Sequence, residues 1–178
     1  MERSYVSVEQ VRTEYDNYRI PVLIATEAGA LIAAYECRKW ASDWAEIDIK
    51  VTFSSDGGES FSEVLRIGRE GETVNNPVLI ADGGRVHLLY CVNYRRVFYR
   101  RSEDGGKTFG KAREITAAFD KYPHTVVATG PSHGVAAGGA LLVIGANGVL
   151  PIGAQSIVDY CLKLGKPLII FINGMDKE

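Results

Sequence analysis

Eleven consecutive residues, Glu36-Cys37-Arg38-Lys39-Trp40-Ala41-Ser42-Asp43-Trp44-Ala45-Glu46, gather acids, bases and both of the chain's tryptophans. Carboxylates can trade protons, and a guanidinium keeps its charge and can meet an anion with two parallel hydrogen bonds. Trp40 and Trp44 read either as a platform for a ligand or as anchors of the loop itself. Other chemistry-bearing groupings are weaker. Gly106-Lys107-Thr108 imitates the end of a phosphate-binding GxxxxGK[ST] loop, but Arg101 stands where the leading glycine is needed. Ser132 and His133 are chain neighbours, and adjacency alone does not make a nucleophile and base. Arg95-Arg96 and Arg100-Arg101 fall on a strand-like run, where successive side chains face opposite sides, so they read as a solvated face with salt bridges.

The elements that must position these residues emerge from an internal repeat. Pro21-Val22-Leu23-Ile24-Ala25 recurs as Pro77-Val78-Leu79-Ile80-Ala81, and each copy is followed by a glycine-containing turn and an apolar run ending at Tyr35 or Tyr90. Each reads as a hairpin. Further on, Ser54-Ser55-Asp56-Gly57-Gly58-Glu59-Ser60-Phe61 is echoed by Ser102-Glu103-Asp104-Gly105-Gly106-Lys107-Thr108-Phe109, 48 residues later. In this block the aspartate can accept hydrogen bonds from turn amides, the glycines can take positive φ, and the aromatic can plug between strands. With β-rich runs at 47–53, 64–67, 97–101 and 112–115, each unit has about four strands. Four short strands every 40 to 50 residues is the period of a β-propeller blade. A third unit begins at Ser132-His133-Gly134-Val135 and reaches Leu141-Leu142-Val143. Pro21 to Ser54 is 33 positions, whereas Pro77 to Ser102 is 25. One of the extra residues falls in the hairpin turn and seven in the loop that opens at Glu36. A loop lengthened on a rigid scaffold is where function tends to sit.

Composition narrows the classes. At 178 residues, with 24% charged and 46% hydrophobic residues, the chain can bury one ordinary core. A formal net charge of −2 gives no basic excess for nucleic acid or an anionic membrane. Cys37, Cys91 and Cys161 lie far apart without CxxC spacing, which suggests neither a disulfide framework nor zinc. No signal peptide is visible after Met1, and the apolar stretch 140–154 is shorter than the roughly 18 residues of a membrane span. The expectation is a cytoplasmic protein with no cofactor and no metal.

The repeated block resembles the Asp box of the sialidase (neuraminidase) superfamily, with Ser54, Asp56, Gly58 and Phe61 in one copy and Ser102, Asp104, Gly106 and Phe109 in the other. Tyr18-Arg19-Ile20-Pro21 resembles the Tyr/Phe-Arg-Ile-Pro motif with which those propellers begin. The likeness continues through Glu36-Cys37-Arg38, Asn76-Pro77 and Ala128-Thr129-Gly130-Pro131-Ser132-His133-Gly134, and covers about residues 5–143. It implies an all-β fold, a partial six-bladed β-propeller of about three blades. It also implies roles for individual residues. Arg19 would be the first arginine of a triad that clamps the substrate carboxylate. Asp43 would be the general acid/base that protonates the leaving glycosidic oxygen and later activates water. Arg38 and Glu36 would contact the sugar or orient neighbours. The plainer alternatives are that Arg19 is a surface arginine and that Asp43 caps a turn. The family's tyrosine nucleophile, the glutamate that activates it and the other two arginines have no counterparts at matching positions; Tyr94, Tyr99 and Tyr122 precede the point where those elements would begin.

After Val143 the texture changes. Ile157, Val158, Cys161 and Leu164 recur at helical spacing, Gly165 suits a C-terminal cap, and Leu168-Ile169-Ile170-Phe171-Ile172 follows Pro167. This reads as a βαβ tail over 144–178, distinct from the propeller fragment over 1–143. Residues 140–178 resemble a piece of the G domain of elongation-factor-G-like translational GTPases, with Asn173-Gly174-Met175-Asp176 set against the guanine-reading Asn-Lys-x-Asp motif. The lysine is replaced by Gly174 and the phosphate loop is absent, which argues against nucleotide binding. The tail is expected to be a fusion or an assembly artefact in the source sequence. The leading functional expectation is an exo-α-sialidase-like glycoside hydrolase acting on terminal sialic acid of glycoconjugates, truncated and with little or no activity as this chain. Its partner would be a sialylated glycan or related acidic sugar, with no nucleic acid and no membrane. The alternative is a non-catalytic propeller fragment that binds carbohydrate or protein. A closed six-bladed propeller needs on the order of 250 to 300 residues, so open blade faces would be available for self-association.

Overall fold

The computed structural model describes residues 6–8, 14–119, 126–130, 134–137 and 140–142. Two four-stranded antiparallel meanders dominate them. The first runs β1 (Asn17–Ala25), β2 (Leu31–Arg38), β3 (Ile47–Ser54) and β4 (Ser62–Ile67). The second runs β5 (Val74–Asp82), β6 (Arg85–Val92), β7 (Arg96–Ser102) and β8 (Arg113–Glu114). A hairpin of β9 (Val135–Ala137) and β10 (Ala140–Leu142) follows. In each sheet the strands lie in chain order. The first strands β1, β5 and β9 pack against one another in turn, so β4 and β8 lie at the far edges. This is the blade arrangement of a partial propeller. The 144–178 expectation, the Asn173-to-Asp176 motif, Tyr122, Ser132 and His133 lie outside the described residues.

Alternation along β2 and β3 explains how the blades meet. Ile32, Ala34, Glu36 and Arg38 pair with Phe53, Val51, Ile49 and Ile47, so all eight side chains share one face. That face meets Val74, Leu79, Val86, Leu88, Tyr90 and Val92 of the second blade in one apolar core. Each fully buried Ile or Leu there contributes on the order of 1.5–3 kcal/mol. Tyr15, Tyr35 and Cys37 cluster separately, and Lys50, paired with Tyr35, is fully buried with its Nζ 5.2 Å from the Tyr15 ring centre. The outer strand β4 has no buried residue.

The repeated Ser-x-Asp-Gly-Gly blocks close the β3–β4 and β7–β8 ends with matching networks. Asp56 accepts from the Ser54 hydroxyl at 2.7 Å, the Ser60 N–H at 3.0 Å and the Ser60 hydroxyl at 2.5 Å. Asp104 accepts from Ser102 at 2.7 Å, the Thr108 N–H at 2.9 Å and its hydroxyl at 2.6 Å. The hydroxyls of Ser54 and Ser102 in turn accept the N–H of Gly58 and Gly106. The Thr108 hydroxyl and N–H hold the Asp104 carboxyl down at about 2, and the Ser60 and Ser54 hydroxyls hold Asp56 well below the ordinary carboxylate range. Because folding depresses both, their contribution is present above the ordinary aspartate value of 3.8 and is lost as pH falls from there through the folded values. Wild-type melting temperature is expected to fall between pH 4 and 2. In Asp56→Asn/Asp104→Asn, thermal melts should show most of that slope missing and a lower value at pH 7; a slope equal to wild type would contradict the networks' role.

Candidate functional site

The extra residues of the first repeat are placed by strand register. Leu31 pairs with Ser54 and Val86 with Ser102, the corresponding ends of the two units. In the first blade Arg38 pairs with Ile47 around the eight-residue loop 39–46; in the second, Val92 pairs with Arg96 around three residues, 93–95. Five of the seven additional residues therefore lengthen the loop, and the other two lengthen β2 and β3 by one each. The added strand length carries Arg38 to the blade rim.

There the side chains interlock. Glu36 is fully buried and Arg38 is 1% exposed. The Arg38 Nε and Nη2 donate to Glu36 Oε2 at 2.8 and 2.5 Å, and Nη1 donates to Asp43 Oδ1 at 2.7 Å. The other Glu36 oxygen accepts the backbone N–H of Asn76, from the second blade, at 2.8 Å. Burial pushes the Glu36 carboxyl above its ordinary value, against the Asn76 N–H and the Arg38 guanidinium, which favour the charged form. Burial also disfavours charge on Arg38, yet its bonds to Asp43 and Glu36 outweigh this and hold the guanidinium protonated. Asp43 itself is the open member, its side chain 66% exposed. The outcome is one solvent-facing carboxylate held at one oxygen by a buried ion pair.

Arg19 pairs with Glu36 across β1 and β2, which puts the two side chains on the same face, and Arg19 is exposed. A bulge follows it: the register shifts between Arg19 and Val22, with Ile20 at φ 52°. The second blade repeats the device between Asn75 and Val78, with Asn76 at φ 54°. A β-branched residue in this region ahead of proline is strained, and the bulge re-aims the strand just beyond Arg19. Arg19, Glu36, Arg38 and Asp43 thus meet at one blade corner. Trp40 and Trp44 stand in the same loop, 50% and 62% exposed.

Four contributors from the second blade carry no site role in the sequence: Thr73 and Asn93, together with Asn76, which stands there only in the Asn76-Pro77 likeness, and Tyr94, which stands there only as a tyrosine that does not match the nucleophile. Thr73 donates its hydroxyl to the Ala45 carbonyl at 2.6 Å, pinning the long loop. Its N–H donates to Asn93 Oδ1 at 2.9 Å, and its carbonyl accepts the Asn93 N–H at 2.8 Å. The Glu46 carboxylate accepts the Gly71 N–H at 3.0 Å. Asn93 and Tyr94 turn the β6–β7 hairpin at φ 53° and 51°, and the Tyr94 ring packs on Trp44 with centroids 4.7 Å apart. Burial, then the charges of Asp43 and Glu36, push the Tyr94 phenol up, so it stays protonated; an activated nucleophile needs the opposite. The one signal for Tyr94 was its place in the three-residue turn equivalent to the long loop. Among the described residues, no group of three or more His, Cys, Asp or Glu is gathered as a metal would need. Three of the paired arginines are engaged: Arg96 with Glu114 at 2.7 Å, Arg101 with Glu103, and Arg100 with the Gly110 carbonyl at 2.8 Å.

No protein-family model matches the chain. Solved structures do resemble it. A Hadza microbial sialidase aligns with a TM-score of 0.56 at 22% identity, over 68% of this chain and 30% of that one. A Trypanosoma rangeli sialidase aligns with a TM-score of 0.50 at 17% identity, over 59% of this chain and 21% of that one. The chain therefore spans less than a third of the length of either. At these identities the likeness concerns architecture, and the architecture is that of part of a sialidase β-propeller.

Proposed function

We propose that this chain carries the sialoside-recognising corner of an exo-α-sialidase-like glycoside hydrolase. The observation that bears most weight is the exposed Asp43 carboxylate, fixed through one oxygen by the buried Arg38–Glu36 pair on a sialidase-like blade. In this reading Arg19 grips the carboxylate of a terminal sialic acid, and Asp43 gives a proton to the leaving glycosidic oxygen and then takes one from water. Arg38 and Glu36 orient the acid. One clamp arginine and one acid supply only part of the transition-state stabilisation such a reaction needs. The chain is thus expected to bind sialic acid and to turn sialosides over slowly at most.

The decisive measurement pairs a binding titration with a fluorogenic sialoside assay. Free N-acetylneuraminic acid should bind wild type and bind Arg19→Ala about tenfold or more weakly, the loss of a charge-assisted bidentate contact. Any turnover should disappear in Asp43→Asn. Binding that ignores Arg19 would overturn the assignment. The second reading, a non-catalytic binding module, draws on the protonated Tyr94 phenol; it wins if Arg19-dependent binding occurs without turnover.

A further inference from the structure

The second blade shows which side chains a blade of this chain presses onto the blade before it. Leu79, Leu88, Tyr90 and Val92 lie on the face that meets Ile32, Ala34, Ile49 and Val51 of the first blade, and Phe98 stacks on Tyr90 with ring centres 5.5 Å apart. Strand register gives the equivalents in the first blade. Leu31 and Val86 stand opposite Ser54 and Ser102, so Ala33, Tyr35 and Cys37 match Leu88, Tyr90 and Val92. Leu23 pairs with Ala33 as Leu79 pairs with Leu88. All four lie on the rear face of the first blade, turned away from the second. The two leucines of the repeated Pro-Val-Leu-Ile-Ala run differ in fate: Leu79 is fully buried and Leu23 is 52% exposed.

Toward the other end of β2 the rear face has changed partners. Lys50 stands where the second blade has Phe98, and Asp48 stands where it has Arg96. The ring missing from β3 is supplied from ahead of β1. Tyr15 is buried against Tyr35 and Cys37, and its ring centre lies 5.2 Å from the Lys50 Nζ. Its hydroxyl donates to the Asp48 carboxylate, and Arg66 Nη1 donates to that hydroxyl at 3.4 Å and to Glu14 at 3.5 Å. The Asp16 N–H donates to the Arg38 carbonyl at 2.9 Å, and Val8 packs on the same cluster. A buried cation and a carboxylate are costly against an apolar sheet; the Tyr15 ring and hydroxyl receive both. This end of the face therefore fits the segment ahead of β1, while the inner strand keeps the leucine that fits a blade.

We infer that Val8 and residues 14–16 form a terminal cap, which takes the place of a preceding blade on the rear face of the first blade and keeps a second copy of the chain from stacking there. The end unit of a stacked repeat needs a cover, because a bare face is a template for the next unit. A face-to-face contact of this kind is heterologous and grows into open chains unless it closes. The occupant of the uncapped face is a second copy, since Leu23 belongs to the same five-residue run that seats Leu79 on a blade of this chain. The inference stands apart from the sialoside reading, as none of the side chains it uses belongs to the Asp43 corner.

Tyr15→Ala removes the cap's central ring, and two measurements read the result. In sedimentation velocity, Tyr15→Ala should form larger species as its concentration rises, whereas wild type and Leu23→Lys should sediment alike. Leu23→Lys placed on Tyr15→Ala should reverse the association. In peptide-resolved alkylation, Cys37, buried against Tyr15, should react about tenfold or more faster in Tyr15→Ala, while Cys91, buried in the second blade, should keep its wild-type rate. Equal acceleration of both thiols would place Tyr15 in the global fold and overturn the cap as a separate element. The cap is also overturned if Tyr15→Ala sediments like wild type, or if its association ignores Leu23→Lys.

Discussion

Glu36→Ala should lower the unfolding free energy by about 3–5 kcal/mol in urea titrations, because it strands the Arg38 guanidinium, 1% exposed, without its buried partner. It also removes the acceptor of the Asn76 N–H, leaving a donor from the next blade unsatisfied. Glu36→Gln keeps an acceptor for that N–H and gives up the charge, so its loss should be smaller. Replacing both partners, as Glu36→Leu/Arg38→Met, should restore the part of the loss that comes from the stranded charge, since two buried charges seldom outperform well-packed apolar side chains, while the Asn76 N–H stays unpaired. The raised Glu36 carboxyl points the same way: burial weighs more on it than its partners relieve. Such a double variant would be stable and yet leave Asp43 unsupported, separating folding from ligand binding. A cost under about 1 kcal/mol for Glu36→Ala would show that the carboxylate is not sealed between the blades.

Gly106→Ala should be the most damaging change in the repeated turns, costing about 2–4 kcal/mol. A Cβ there would lie 2.7 Å from Cγ1 of Ile32, a fully buried side chain of the neighbouring blade, on a backbone already at φ 97°. Its counterpart Gly58, at φ 94°, would bring a Cβ 3.1 Å from the end of Leu31, which can turn aside, so Gly58→Ala should cost about 1–2 kcal/mol. Gly105→Ala meets no atom within 4 Å and bears only the backbone term. Urea midpoints should rank the three variants in that order. Equal losses at 58 and 106 would mean that the second block does not press on the first blade.

The repeat made the architecture legible. Two copies of Pro-Val-Leu-Ile-Ala and two Asp-Gly-Gly blocks gave the strand count and blade period, and the length difference between copies marked the loop that holds Asp43. Arg38 and Asp43 were visible as types at a spacing. What stayed hidden was the neighbour's part. Asn76 contributes a backbone N–H, which any non-proline residue carries, and Thr73 contributes an ordinary hydroxyl. Lys50, on the face of β3 turned away from the core between the blades, is buried as well, because Tyr15 covers that face. Burial on both faces of a strand is a tertiary fact that the two-residue period cannot reveal.

The Asn76 N–H on Glu36 also sets a clock for synthesis. The two residues are 40 positions apart. At roughly 5–20 residues per second, the first repeat waits about 2–8 s on the ribosome with an uncapped carboxylate and an apolar face turned toward a neighbour not yet made. Glu36 and the apolar face of β2 and β3 thus meet their native partners only once the second blade has been made.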